Sequence, residues 1–216
     1  MRSEAIIAAL IGAGITLVTT ICTSLLNYRI KRNRIRYDYE TKKQETKIDK
    51  LNEIYTKLIG IINLYPDISP NDVLNSVEYA PNYSMEWFDA VLKSLDYQIE
   101  DYRKQLQNEN NSLGRKSDIE TQISNREYSK EKISWIRDQY IKAKEEYDLF
   151  YESDKAVFDL YAGQNVRNSL VEFEVVIHNV FISGRRAGEA GDPIKNIIQV
   201  SRRNIVNSMR DDIGIS

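Results

Sequence analysis

Hydrophobic and polar positions divide this chain into three stretches. From Ala5 to Tyr28 there are 24 residues without a charge, AIIAALIGAGITLVTTICTSLLNY. A helix rises about 1.5 Å per residue, so the run exceeds the ~20 residues that cross a hydrocarbon core. Residues 29–50 are mostly polar and hold neither Gly nor Pro, which predicts that the helix continues as a solvated stalk. An apolar stripe returns at Leu51, Ile54, Tyr55, Leu58, Ile59 and Ile62, and opens a helical body over 51–216.

Inside the body, Pro66 stops the first stripe. Ser69-Pro70 reads as an N-cap followed by proline at the first helical position, starting a short helix through about Tyr79. Met85, Phe88, Leu92, Leu95, Ile99, Tyr102 and Leu106 then alternate in spacings of three and four, a heptad seam of coiled-coil type. Gly114 reads as a C-terminal cap, and Ser117 with Glu120 as the capping box of the next helix. That helix carries Ile119, Ile123, Ile133, Ile136, Tyr140, Ala143, Tyr147, Phe150, Val157 and Tyr161 close to one face. Arg126 and Lys130 interrupt the stripe, which predicts weak burial there. Together 84–161 read as a long antiparallel helical hairpin.

The remaining stretch divides at two loops. Val166, Leu170, Phe173, Ile177 and Val180 fit a helix over 164–183, although 171–175 also alternate as a strand would. No other segment alternates to pair with such a strand, so the helix is preferred. SGRRAGEAGD, 183–192, reads as a flexible loop, and Asp192-Pro193 as the start of a last helix over 193–210. The fold class is therefore all-α: an N-terminal transmembrane helix running into a stalk, then a helical bundle.

Charge gives the apolar run a direction. Arg29, Lys31, Arg32, Arg34 and Arg36 follow it, while only Arg2, Glu4 and the terminal amine stand before it. Basic flanks stay on the cytoplasmic side, so the expected topology is an uncleaved single-pass signal-anchor in the plasma (inner) membrane, N-terminus outside and body cytoplasmic. A cleaved signal peptide would need its positive charge before the run and small residues at its end. The same five basic residues are placed to meet anionic lipid headgroups. A cytoplasmic body makes the glycosylation patterns at Asn82 and Asn110 irrelevant. Ala8, Gly12, Thr16, Thr20 and Ser24 recur every four residues, and small residues on one face let membrane helices approach closely. That row is the expected association face.

Composition narrows the chemistry. Residues 37–162 hold 17 basic and 25 acidic side chains, a net charge of −8, which argues against a nucleic-acid partner. One Cys and one His exclude an intramolecular disulfide and a metal site built on several of them. Arg185 and Arg186, in a glycine-rich loop before a helix, are the one candidate for anion binding, but no P-loop or dinucleotide fingerprint accompanies them. His178 lies one turn from Glu174 and reads as a local hydrogen-bonding partner. Glu145, Glu146, Asp148, Glu152 and Asp154 are interleaved with Lys142, Lys144 and Lys155, as on a solvated face. Arg202, Arg203 and Arg210 are expected to pair with the acidic hairpin. The 14 tyrosines suit a thin bundle whose core lies near water.

No catalytic residue, cofactor, metal or small-molecule substrate is expected. The expected role is a non-enzymatic membrane-anchored scaffold or adaptor that acts on a protein partner or on its own copies. The alternative is an oligomerising membrane-acting effector, of toxin or phage-defence type, with a cytoplasmic sensing body.

Overall fold

Side-chain spacing and capping turn most of this chain into helix. The structure, a computed structural model, describes the backbone of residues 2–215, and the side chains of these except 2, 4–13, 15, 17 and 18. Seven α-helices and no strand occur among the described residues: α1 (Arg2–Ile62), α2 (Pro70–Leu74), α3 (Phe88–Leu106), α4 (Leu113–Ser153), α5 (Lys155–Tyr161), α6 (Gln164–Ile177) and α7 (Ile197–Asp212). The all-α class is what the sequence leads one to expect. The chain forms two compact units, 1–50 and 51–216.

The first unit is helix throughout its described length. Among the described residues no helix is long and apolar enough to cross a membrane. Half of the positions of the span read over Ala5–Tyr28, those at 5–13, 15, 17 and 18, lie outside the described side chains. Its described end carries exposed Ile21, Leu25, Leu26 and Tyr28.

The second unit has one continuous core. Leu51, Ile54, Tyr55, Leu58, Ile61 and Ile62 enter it from the end of α1, joined by Phe150, Phe158, Val166, Leu170, Phe173, Phe181, Ile198 and Ile205. α3 and α4 lie along each other in opposite senses. Arg103 meets Glu127 at 2.6 Å, Lys130 meets Asp96, and Arg137 lies 4.4 Å over the Phe88 ring, so rising numbers on one helix match falling numbers on the other. Of the heptad seam, Phe88, Leu95 and Ile99 are buried; Val91 takes the position expected of Leu92, which is only half-buried.

Helix ends differ from the sequence reading in several places. α4 starts five residues early: Ser112 caps it, its hydroxyl accepting from the Arg115 amide at 3.2 Å. Gly114 therefore sits in a first turn, and Ser117 lies inside the helix. The long helix also breaks at Asp154, whose φ of −117° leaves helical geometry before α5 begins. The last helix begins at Ile197, because the buried Asn196 caps it through the amides of Ile198 and Gln199, both at 3.1 Å. Asp192 instead holds a local turn, accepting from Ile194 and Lys195. At Ser69 the expected cap is present and is a full box with Asp72, but α2 stops at Leu74.

The interruption at Arg126 is not a wet face. Arg126 is 1% exposed. Its Nε donates to Gln98 Oε1 at 2.8 Å, one terminal nitrogen to the backbone and side-chain oxygens of Gln122, and the other to the Glu78 carbonyl at 2.7 Å. The Tyr102 ring lies beneath it, 4.5 Å from the guanidinium carbon.

The 183–192 loop is likewise tied down. Asp72 accepts from the Ala187 amide at 2.8 Å, the Ala187 carbonyl accepts from Ile197, and Asn196 donates to the carbonyls of Gly188 and Glu189. Gly184, at φ +74°, passes so close to the Tyr83 carbonyl that a Cβ would stand 1.9 Å from it. Asn71 clamps this crossing, bonded to the Tyr83 amide and the Gly184 carbonyl. Between α6 and this loop, residues His178–Ile182 form one π-helical turn.

Candidate functional site

α4 and α6 meet over a surface cleft of about 320 Å³. Spacing along α4 builds one wall: Tyr140 and Tyr147 lie seven residues apart, with Lys144, Asp148 and Tyr151 on the adjoining rows. α6 supplies Phe173, Glu174 and Ile177, and His178 follows at the start of the π turn. Tyr65, just past the end of α1, closes the floor.

The rings brace one another. Tyr65 meets Phe173 edge to face at 5.7 Å between centroids, and Tyr140 stacks on Phe181 at 5.2 Å. Polar groups sit at particular points of this aromatic surface. The Tyr147 hydroxyl donates to Glu174 Oε1, and Lys144 pairs with Asp148 at 2.7 Å, one helical turn on.

Burial pushes the Tyr147 phenol far above its usual range, and its bond to Glu174 raises it further. Burial raises Tyr65 too, with Tyr140 beside it adding to the effect. Tyr140 itself is raised by burial against the opposing pull of Lys144. These three phenols stay protonated at neutral pH, so they act as hydrogen-bond donors and π faces and add no negative charge. His178 is exposed, and Glu174, its expected partner, is bonded to Tyr147 instead.

The other sequence candidates lie elsewhere. Arg185 and Arg186 are exposed, and the nearby Ala187 amide, which an anion would use, is taken by the Asp72 carboxylate. A protein carboxylate thus stands where the loop would hold an anion. Arg202 does not reach the acidic hairpin: its guanidinium donates to the carbonyls of Ile62 and Tyr65 and so caps the C-terminal end of α1. Arg203 and Arg210 are exposed. The acidic run around Glu145 is solvated, and no group of carboxylates, Cys or His among the described residues is arranged to hold a metal.

In the first unit, Arg29, Lys31, Arg32, Arg34 and Arg36 are all exposed on α1. On the expected association face, Thr16, Thr20 and Ser24 are exposed, and the Thr20 hydroxyl donates back to the Thr16 carbonyl at 2.8 Å. Ala8 and Gly12, the other two members of that face, lie outside the residues described beyond their backbone.

Sequence reasoning missed Tyr65 and Glu174 as neighbours of the α4 tyrosines. The repeat of Tyr140, Tyr147 and Tyr151 was the available signal, but nothing in it names the partner helix. Compared with known proteins, the chain matches no family model, no curated protein and no solved structure.

Proposed function

We propose that this chain is a single-pass membrane-anchored helical scaffold or adaptor of non-enzymatic type. Residues 1–28 are the anchor, 29–50 a basic juxtamembrane helix, and 51–216 a cytoplasmic body working through protein contacts. The observation that carries the reading is the uncharged run Ala5–Tyr28 followed by Arg29, Lys31, Arg32, Arg34 and Arg36 on its cytoplasmic flank. The described part of α1 supports it with the exposed apolar side chains of Ile21, Leu25 and Leu26. For the body, exposed Trp87, Tyr97, Tyr128 and Trp135 on and beside α3 and α4 are residue types that recur at protein interfaces.

A second reading, the oligomerising membrane effector, is favoured by the small-residue row Ala8, Gly12, Thr16, Thr20 and Ser24. One experiment sorts these outcomes. Membranes expressing the full chain are washed with alkaline carbonate, then cross-linked, and the products are identified by mass spectrometry. Retention in the pellet with one specific heterologous partner is the expected result. Release into the wash overturns the anchor. Retention with self-products only, lost in Gly12→Leu, replaces the scaffold by the effector.

A further inference from the structure

The cleft between α4 and α6 has a charge pattern that selects a class of ligand. Three charged side chains of fixed sign line it: Lys144, Asp148 and Glu174. Lys144 and Asp148 neutralise each other across one helical turn. Glu174 has no basic side chain within 4 Å among the described residues; only the neutral Tyr147 hydroxyl bonds to it, and only at Oε1. The cleft therefore carries one uncompensated negative charge, set among Tyr65, Tyr140, Tyr147, Tyr151 and Phe173. Ring faces attract cations, and a carboxylate beside them fixes where the cation sits.

We propose that this cleft binds a small organic monocation, an amine or quaternary ammonium carried on a flat apolar body. The ammonium lies against Glu174 Oε2, the oxygen that Tyr147 leaves unused, and the apolar body lies on the tyrosine rings. A volume of about 320 Å³ admits a ligand at the small end of the usual range for such sites. An anion would meet Glu174 unscreened, and a neutral aromatic would cover that carboxylate without pairing it. The ligand is held and released unchanged. The proposal does not depend on the anchor reading, because every lining residue belongs to 51–216.

Titration calorimetry on the detergent-solubilised full chain tests it, with 2-phenylethylammonium as probe and 2-phenylethanol and phenylacetate as its neutral and anionic counterparts. Saturable binding of the amine, at least about tenfold tighter than the alcohol and with no binding of the acid, is expected from pairing one partly buried charge. Glu174→Gln keeps an acceptor for Tyr147 but removes the charge, and loses about the same factor. Glu172→Gln, an exposed change on the same helix, leaves the affinity where it was. Circular dichroism verifies that each variant is folded, and Tyr151→Ala at the exposed rim gives a second variant that weakens binding without touching the core. Equal affinity for amine and alcohol overturns the proposal. So does an equal loss in Glu172→Gln and Glu174→Gln, which means diffuse attraction to an acidic surface, and so does the absence of saturable amine binding.

Discussion

Arg126 shows how a single side chain can be charged, buried and stabilising at once. All three of its nitrogens donate within the fold, and its acceptors come from three separate places: the Glu78 carbonyl, Gln98 on α3 and Gln122 one turn back on α4. Removing it strips those acceptors and opens a cavity, so Arg126→Ala is expected to cost about 3 kcal/mol in urea unfolding. Arg126→Lys keeps the charge but lacks the planar fork, and is expected to recover less than half of that loss. A charge that breaks an apolar stripe normally marks solvent, so the spacing alone places this position toward water. What reverses the sign is the set of neutral oxygens around it, and those lie 48, 28 and 4 residues away with no pattern linking them. Tyr147 and Glu174, 27 residues apart, were hidden for the same reason. Pairing across helices leaves no periodic trace.

Helix existence and helix ends behaved differently at the next scale. The apolar spacing located α3, α4, α6 and α7, since a stripe repeated over several turns must be buried somewhere. The ends depend on single capping side chains, and several residues of the right type compete within a few positions. Ser112 wins over Ser117 at α4, and Asn196 over Asp192 at α7. Asn196 has the stronger claim because its amide also donates to the Asp67 carbonyl at 2.7 Å and holds the Gly188–Glu189 backbone. Asn196→Ala is therefore expected to lower stability by about 2 kcal/mol and to speed amide exchange at Ala187 and Ile197. Asp192→Ala is expected to leave the melting temperature nearly unchanged, because backbone amides of an exposed turn are its partners and water replaces it there. Asp192 is nonetheless held below the usual carboxylate range by the amides of Lys195 and Ile194.

Across the body as a whole, buried phenols set a limit on alkaline stability. Tyr55, Tyr65, Tyr140 and Tyr147 are all raised above the usual value, chiefly by burial, and Tyr83 is pushed up to about 12. An unfolded tyrosine loses its proton near pH 10, whereas these keep theirs in the fold. The folded state then binds more protons than the unfolded one, so stability is full below pH 10 and falls as the pH rises above it. The tyrosinate absorbance contributed by the buried set is expected to appear only as helical circular dichroism is lost, which a parallel alkaline titration of the two signals checks. Tyr55 also joins distant parts of the second unit: its hydroxyl donates to Asp212 at 2.5 Å, and Asp212 accepts from the Gly163 amide at 3.0 Å. Arg202 meanwhile closes the end of α1 on the Ile62 carbonyl, 140 residues earlier in the chain. Such contacts have a cost during synthesis. At ~5–20 residues per second a ribosome needs about 8–30 s to go from Tyr55 to Asp212. Throughout that interval Leu51 and Ile54 have been made but the helix that completes their cover has not. Until its final helix emerges, the nascent body therefore leaves that apolar surface open to water.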